Sequence, residues 1–173
     1  MRTLDRTEAA ACEALVSAVS FCPGDYGAIL KPEWAASFGC EVVPMESAGR
    51  LPIEQIPRIA SALSNAGYTH CYGALTETLR PAEPALLLET TVKDFTELNA
   101  RYGIYRFVIV PHDKTWAVAC NERFNLIGAT PTLLEQMLPT SPAAVRATFD
   151  ALAARLGGSL RHVASLYRPR AAR

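Results

Sequence analysis

The segment YRFVIVPHDKTWAVACNERFNLIGA, from Tyr105 to Ala129, decides the fold class because it predicts a three-stranded antiparallel meander. Two apolar runs, Tyr105–Pro111 and Trp116–Cys120, are joined by the polar turn His112–Thr115. A third apolar run, Phe124–Ala129, follows a second short polar turn. Apolar runs that are separated by short polar turns are typical of hairpin strands. The segment therefore predicts an α+β protein with an antiparallel sheet built around residues 105–129.

The two turns also predict the register of the meander. A short first hairpin pairs Pro111 with Trp116, and the second turn pairs Cys120 with Asn125. In this register both faces of the sheet are apolar, whereas a sheet covered on one side alternates apolar and polar residues. We therefore predict a sheet that is covered on both sides, or covered on one side and used for association on the other. One face also has a row of small side chains that would let a helix approach closely: Val110, Ala117 and Gly128.

Helical patterns lie on both sides of the meander. Asp5 and Glu8 form a start similar to a capping box for an N-terminal helix over about residues 7–20. No internal repeat or domain boundary is visible, so we expect residues 1–173 to form a single globular domain with N-terminal and C-terminal helices flanking the sheet. The other predicted elements are a short helix at Glu33–Phe38, an edge strand at Glu41–Pro44, a helix from near Ile56 to Gly67, strands at Tyr68–Thr76 and Leu86–Glu89, a helix that is capped by Thr91 or Thr90 and runs to about Arg101, a short helix from Thr130 to Leu138, and a longer helix from Ser141 that ends at Gly157-Gly158.

The charge of the chain is balanced in total but not along its length. The chain has 17 basic and 17 acidic residues, so nucleic acid and anionic lipid are not default partners. Residues 139–173 contain six arginines and one acid, and they carry +5 while residues 1–138 carry −5. The arginine-rich C-terminal segment leaves RNA binding open as an alternative, although it lacks interleaved aromatic residues. Nucleic acid is therefore not the expected partner.

The cysteine pattern points to free thiols. The five cysteines are an odd number, with no C-x-x-C pair and no histidine spacing typical of zinc sites. Glycine-rich nucleotide loops are absent as well, so neither a metal nor a cofactor is expected. No run approaches the roughly 20 apolar residues of a membrane span. The sequence therefore predicts a cytoplasmic protein without a membrane partner.

Candidate catalytic groups do not come together in the predicted sheet. Cys120 lies on the opposite face from His112 and about eight residues along the strand, which is about 26 Å. His70 and Cys71 are neighbours in a strand, so their side chains point to opposite faces. We therefore assign no catalytic residue. A small enzyme whose site assembles from Cys71, His70, His112 and acidic residues such as Asp113 remains an alternative.

A different set of residues is typical of a binding surface. Tyr26 and Trp34 lie in a long N-terminal loop, and Trp116 adjoins the polar turn of the meander. Tryptophan and tyrosine are enriched at binding hot spots, although the same side chains also pack loops onto a core. With His112 and Asp113 of the turn they form the predicted partner-binding set.

The segment RFVIVPHDKTWAVACNERFNLIG, Arg106–Gly128, resembles the small single-domain immunity proteins of bacterial contact-dependent toxin systems. The resemblance implies a non-enzymatic protein that binds a cognate toxin domain and neutralises it by occlusion. The acidic part of the chain, residues 1–138, would then suit a basic toxin active site, because complementary charge steers association. The resemblance implies no particular functional residue, and the oligomeric state stays open.

Overall fold

The computed structural model of the protein describes residues 1–24, 27–47, 49–77, 83–103 and 105–168. Within these ranges the chain has an α+β fold, as the sequence predicts. The strands are β1 (Arg2–Thr3), β2 (Ser20–Phe21), β3 (Ile29–Leu30), β4 (Glu41–Glu46), β5 (His70–Leu75), β6 (Leu86–Glu89), β7 (Phe107–Val110), β8 (Ala117–Cys120) and β9 (Phe124–Ala129). The helices are α1 (Arg6–Val19), α2 (Pro32–Ser37), α3 (Ile56–Asn65), α4 (Val92–Tyr102), α5 (Pro131–Met137), α6 (Pro142–Leu156) and α7 (Gly158–Leu166).

Seven of these strands form one sheet in the order β1-β6-β5-β7-β8-β9-β4. Neighbouring strands in it are antiparallel. The meander β7-β8-β9 lies in the middle, and β4 lies at one edge, as predicted. Strands β2 and β3 pair separately as a small ribbon, which the sequence pattern did not predict because each has only two residues.

The register predicted for the meander is confirmed. Phe107 pairs with Cys120 across the first hairpin, and Cys120 pairs with Asn125 across the second. Hairpin turns of fixed length set this pairing, so it follows from local sequence. The same register makes Tyr72 of β5 the partner of Val110 of β7, which joins the meander to the hairpin β5-β6.

The first face of the sheet packs against helices α3, α4 and α5. Strands β7, β8 and β9 present Phe107, Val118 and Ile127 to this side, and all three are buried. The helices contribute apolar side chains at the spacing of a helical stripe. These side chains are Ile56, Ile59 and Leu63 of α3, Phe95 and Leu98 of α4, and Leu133, Leu134 and Met137 of α5.

The second face packs against α2, α6, α7 and the β2-β3 ribbon. Val108, Ala119 and Leu126 of the sheet lie in a core cluster with side chains of these elements. The small row on this face permits the expected close approach, because a Cβ atom added at Gly128 would lie 2.8 Å from Cζ3 of Trp34. The prediction of a covered sheet is thus confirmed in its first form, with helices on both sides.

The N-terminal helix begins with the predicted capping box. Asp5 Oδ1 accepts hydrogen bonds from the backbone N–H groups of Thr7 at 2.8 Å and Glu8 at 2.9 Å. In return Glu8 Oε2 accepts from the N–H of Asp5 at 3.0 Å. Hydrogen bonds from the Arg2 guanidinium and from the Asp5 backbone lower the pKa of Glu8 to about 2.

The C-terminal part contains a helix that the sequence pattern did not predict. Helix α6 ends before Gly157-Gly158 as expected, but α7 begins directly at Gly158. Gly157 has φ 68° and ψ −152°, a backbone conformation that is essentially restricted to glycine. The glycine pair therefore redirects the helix instead of ending the helical structure.

Candidate functional site

The turn between β7 and β8, Pro111–Trp116, has a defined and strained backbone. The N–H of Lys114 donates to the carbonyl of Pro111 at 3.2 Å. Among the described residues, Lys114 is the one non-glycine residue with a positive φ, at 58°. Asp113 Oδ1 accepts from both the N–H of Thr115 at 3.2 Å and its hydroxyl at 2.7 Å. Asp113 thereby closes the turn with its own side chain.

Side chains from both faces of the sheet hold this turn in place. From the second face, Trp34 Nε1 donates to the carbonyl of Lys114 at 2.8 Å, and Cys40 Sγ donates to the carbonyl of Thr115 at 3.2 Å. From the first face, the Tyr68 hydroxyl and the Thr115 hydroxyl are hydrogen-bonded at 2.6 Å. The backbone and the side chain of Thr115 are thus both tied to the body of the protein.

The tip of the turn is exposed and adjoins a second histidine. His112 and Asp113 are exposed, and together with His70 they line one shallow depression of about 400 Å³. The β5-β7 register explains this, because it places position 70 opposite position 112 when it is extended by two residues beyond the pair Tyr72 and Val110. Imidazoles can donate or accept hydrogen bonds, so the depression offers adaptable polar groups.

The predicted partner-binding set separates into an exposed part and a buried part. His112 and Asp113 are exposed at the tip, whereas Trp34 is only 4% exposed and Trp116 is fully buried. The expectation that these indoles contact a partner is therefore corrected: they pack against the core below the turn. Trp116 also makes an edge contact with the ring of Tyr68 at 5.9 Å. Tyr26 lies outside the described residues.

The cysteines nearest to the histidines do not form a catalytic pair with them. Cys120 is buried at the far end of β8 from the turn, and burial raises the pKa of its thiol well above the usual value. Cys71 is also buried, and burial first and Asp94 second raise the pKa of its thiol. Its neighbour His70 is exposed on the other side of the strand. Protonated thiols are poor nucleophiles, so the arrangement disfavours thiol catalysis at either cysteine.

Several contacts at this site could not be expected from sequence patterns. Tyr68, Cys40 and Thr115 belong to no recognisable sequence motif, yet each forms a hydrogen bond that helps to fix the turn. His70 was a candidate for an enzyme site and not for the binding set, because the pairing of β5 with β7 joins segments that are distant in the chain. Only that pairing brings His70 beside His112.

Comparison of the chain with protein-family models, with curated proteins and with solved structures finds no match. Within the described ranges, no three His, Cys, Asp or Glu side chains are grouped closely enough to hold a metal ion. In the same ranges, no helix combines the length and the apolar character that a membrane crossing requires.

Proposed function

We propose that this protein binds another protein through the exposed tip of the β7–β8 turn, with His70, His112 and Asp113 as contact residues. The observation that carries this proposal is a turn whose backbone is fixed from both faces of the sheet while its tip side chains remain exposed. A preorganised surface loses little conformational entropy when a partner binds. The geometry is therefore suited to recognition.

The strained residue in the turn supports the same proposal. A left-handed backbone costs a residue other than glycine roughly 1–2 kcal/mol. Glycine and asparagine are the residues that turns usually have at a position with a left-handed backbone. Lys114 is instead held at φ 58° by surrounding contacts. Strain that the surrounding structure maintains is concentrated at functional sites.

Within this class, we propose a bacterial immunity protein that neutralises a cognate toxin domain by occlusion. The segment Arg106–Gly128, which carries the resemblance to such proteins, has the strand organisation that was predicted for it. Residues 1–138 carry −5, which favours approach to a basic toxin surface. Occlusion of a toxin active site requires contact and charge complementarity, and surface residues provide both.

The two alternatives have weaker support. Thiol chemistry at Cys71 is disfavoured because the side chain is buried and His70 points away from it. RNA binding would use the arginines of residues 139–173, but Arg146 is already paired with Glu41 at 2.9 Å.

The proposal predicts that a toxin domain is encoded directly upstream of the gene, and that domain provides the test. We expect that domain to co-purify with the protein and to lose its toxicity when the two are co-expressed. The association rate should fall as salt is added, because steering between opposite charges is screened. A neighbouring toxin domain that neither binds nor is neutralised, or the lack of any such gene, would contradict the assignment as an immunity protein.

A further inference from the structure

We infer that Trp34 is a positioning residue for the β7–β8 turn. Its indole N–H holds the Lys114 peptide group, and with it the His112-Asp113 tip, in the conformation that binds the partner. The part of this inference that concerns partner affinity rests on the proposed function. The part that concerns the conformation of the turn does not, and it can be measured on the protein alone.

The indole of Trp34 packs directly on the sheet. Trp34 is 4% exposed and lies above β9, where a Cβ atom at Gly128 would be 2.8 Å from Cζ3 and 2.9 Å from Cη2 of the ring. A Cβ atom there would also be 3.0 Å from Cδ1 of Leu30. Such distances leave no room for any side chain at position 128, so the ring rests directly on the strand backbone. Packing on the strand therefore helps to fix the orientation of the ring.

The indole N–H of Trp34 donates a hydrogen bond to Lys114, the turn residue with the left-handed backbone. The distance from Nε1 to the Lys114 carbonyl oxygen is 2.8 Å, although the two residues are 80 positions apart in the sequence. The next carbonyl, that of Thr115, accepts from Cys40 Sγ at 3.2 Å. Both bonds come from the same face of the sheet, and they hold the carbonyl groups of Lys114 and Thr115 while Lys114 has the left-handed conformation.

The second tryptophan beside the turn supplies a matched comparison. Trp116 is also buried, but its Nε1 has no hydrogen-bond partner in the described structure. Trp34→Phe and Trp116→Phe each remove one indole N–H and a similar volume from the core. Only Trp34→Phe removes a hydrogen bond to the turn. A difference between the two variants therefore reports the bond and not the loss of packing.

The first measurement is amide hydrogen exchange at Lys114 and Thr115. We expect Trp34→Phe to accelerate exchange at these two positions roughly tenfold, which corresponds to the loss of one hydrogen bond. The amides of Ala117–Cys120 should keep their wild-type exchange, as should Lys114 in the Trp116→Phe variant. Unchanged exchange at Lys114 in a folded Trp34→Phe protein would overturn the inference.

A rescue experiment separates positioning from general stabilisation. Glycine adopts positive φ without strain, so Lys114→Gly should restore protection of Thr115 when it is added to Trp34→Phe. Added to the wild type, the same change should have little effect on Thr115, and the four proteins form a double-mutant cycle. If Trp34 contributed only to core packing, Lys114→Gly would leave the exchange of the Trp34→Phe protein unchanged, and this result would overturn the inference.

The unmodified protein provides a test that does not depend on the folding of any variant. A scalar coupling between the indole ¹⁵N of Trp34 and the carbonyl ¹³C of Lys114 is expected across the hydrogen bond, with no such coupling for the indole of Trp116. A missing Trp34 coupling would overturn the inference.

Partner affinity separates this inference from the proposed function. If exchange at Lys114 accelerates in Trp34→Phe and affinity for the toxin domain falls about tenfold, both are supported. If exchange accelerates and affinity is unchanged, Trp34 still positions the turn, but the proposed recognition surface is wrong. Trp116→Phe is expected to leave affinity unchanged in either case.

Discussion

At the scale of the single residue, the packing of the Trp34 indole on β9 depends on Gly128. We expect Gly128→Ala to lower the free energy of unfolding by about 1–3 kcal/mol, because the added methyl group overlaps the rigid indole. Urea denaturation measures this change. Gly73→Ala is the matched control in β5, where the added Cβ would meet Cδ1 of Leu98 at 3.1 Å and Cδ1 of Leu88 at 3.2 Å.

These leucine methyl groups are the ends of flexible side chains and can move, so we expect a smaller loss at Gly73 than at Gly128. Equal losses in the two variants, or no loss at Gly128, would show that the indole does not rest on the strand as described.

The thiols provide a second prediction at residue scale. Cys22 is exposed, Cys40 is half-buried, and the other three cysteines are buried. At neutral pH a thiol reagent should label Cys22 first. Cys40 should react slowly and faster with rising pH, because burial raises its pKa to about 11 and only the thiolate reacts. Mass spectrometry of labelled peptides measures both rates. Fast labelling of Cys71 at neutral pH would instead revive the enzyme alternative.

At this scale the sequence predicted the exposure of the polar turn residues, but it did not predict the burial of the tryptophans. His112 and Asp113 lie in a polar hairpin turn, and such turns are exposed. A tryptophan beside a loop can face solvent or the core, and local pattern does not distinguish the two. The bond from Trp34 to Lys114 joins residues that are 80 positions apart, so only the folded chain shows it.

At the scale of the element, the capping box of α1 makes stability depend on pH in a defined direction. The pKa of Glu8 is lowered from 4.5 to about 2, mainly by its hydrogen bond with Arg2. A carboxylate with a lowered pKa contributes stability above its unfolded pKa, and this contribution is lost as the pH falls towards the folded value. Acid should therefore weaken the start of α1 between about pH 4.5 and pH 2.

Glu8→Gln is the variant that tests this direction. We expect wild type to be more stable than Glu8→Gln above pH 5, with a difference that shrinks below about pH 4.5 and disappears near pH 2. Urea denaturation across this pH range measures the difference. A difference that grows as the pH falls would contradict the assignment of the ion pair.

Elements that are specified by local sequence were predicted best. The meander register followed from two turn lengths, and the starts of α1 and α6 followed from capping residues. Helix α7 was missed because a Gly-Gly pair is usually a helix end, whereas Gly157 here turns the chain directly into the next helix. The pairing of β5 with β7 was missed because it links distant segments.

At the scale of the whole molecule, coverage of the sheet supports the proposal that a partner is bound at a turn. Helices cover both faces, so neither apolar face is left for a partner. The edge strand β4 is also protected, because Pro44 has no N–H to offer and the carbonyl of Val42 accepts from Arg146 at 3.2 Å. The β7–β8 turn beside His70 is a polar surface that hydrogen bonds from both faces of the sheet hold in place.

The central claim is the proposal that the tip of this turn contacts a partner. A calorimetric affinity for the toxin domain that the proposal expects upstream of the gene tests it most directly. Removing the imidazole of the tip and the one beside it, with His112→Ala and His70→Ala, leaves the contacts of Trp34 and Tyr68 with the turn in place. His162→Ala is the control, because it removes the remaining histidine, which is exposed on α7. The account predicts about 30-fold weaker binding for the double variant, as for an interface hot spot, and wild-type binding for the control. Wild-type affinity in the double variant would contradict it.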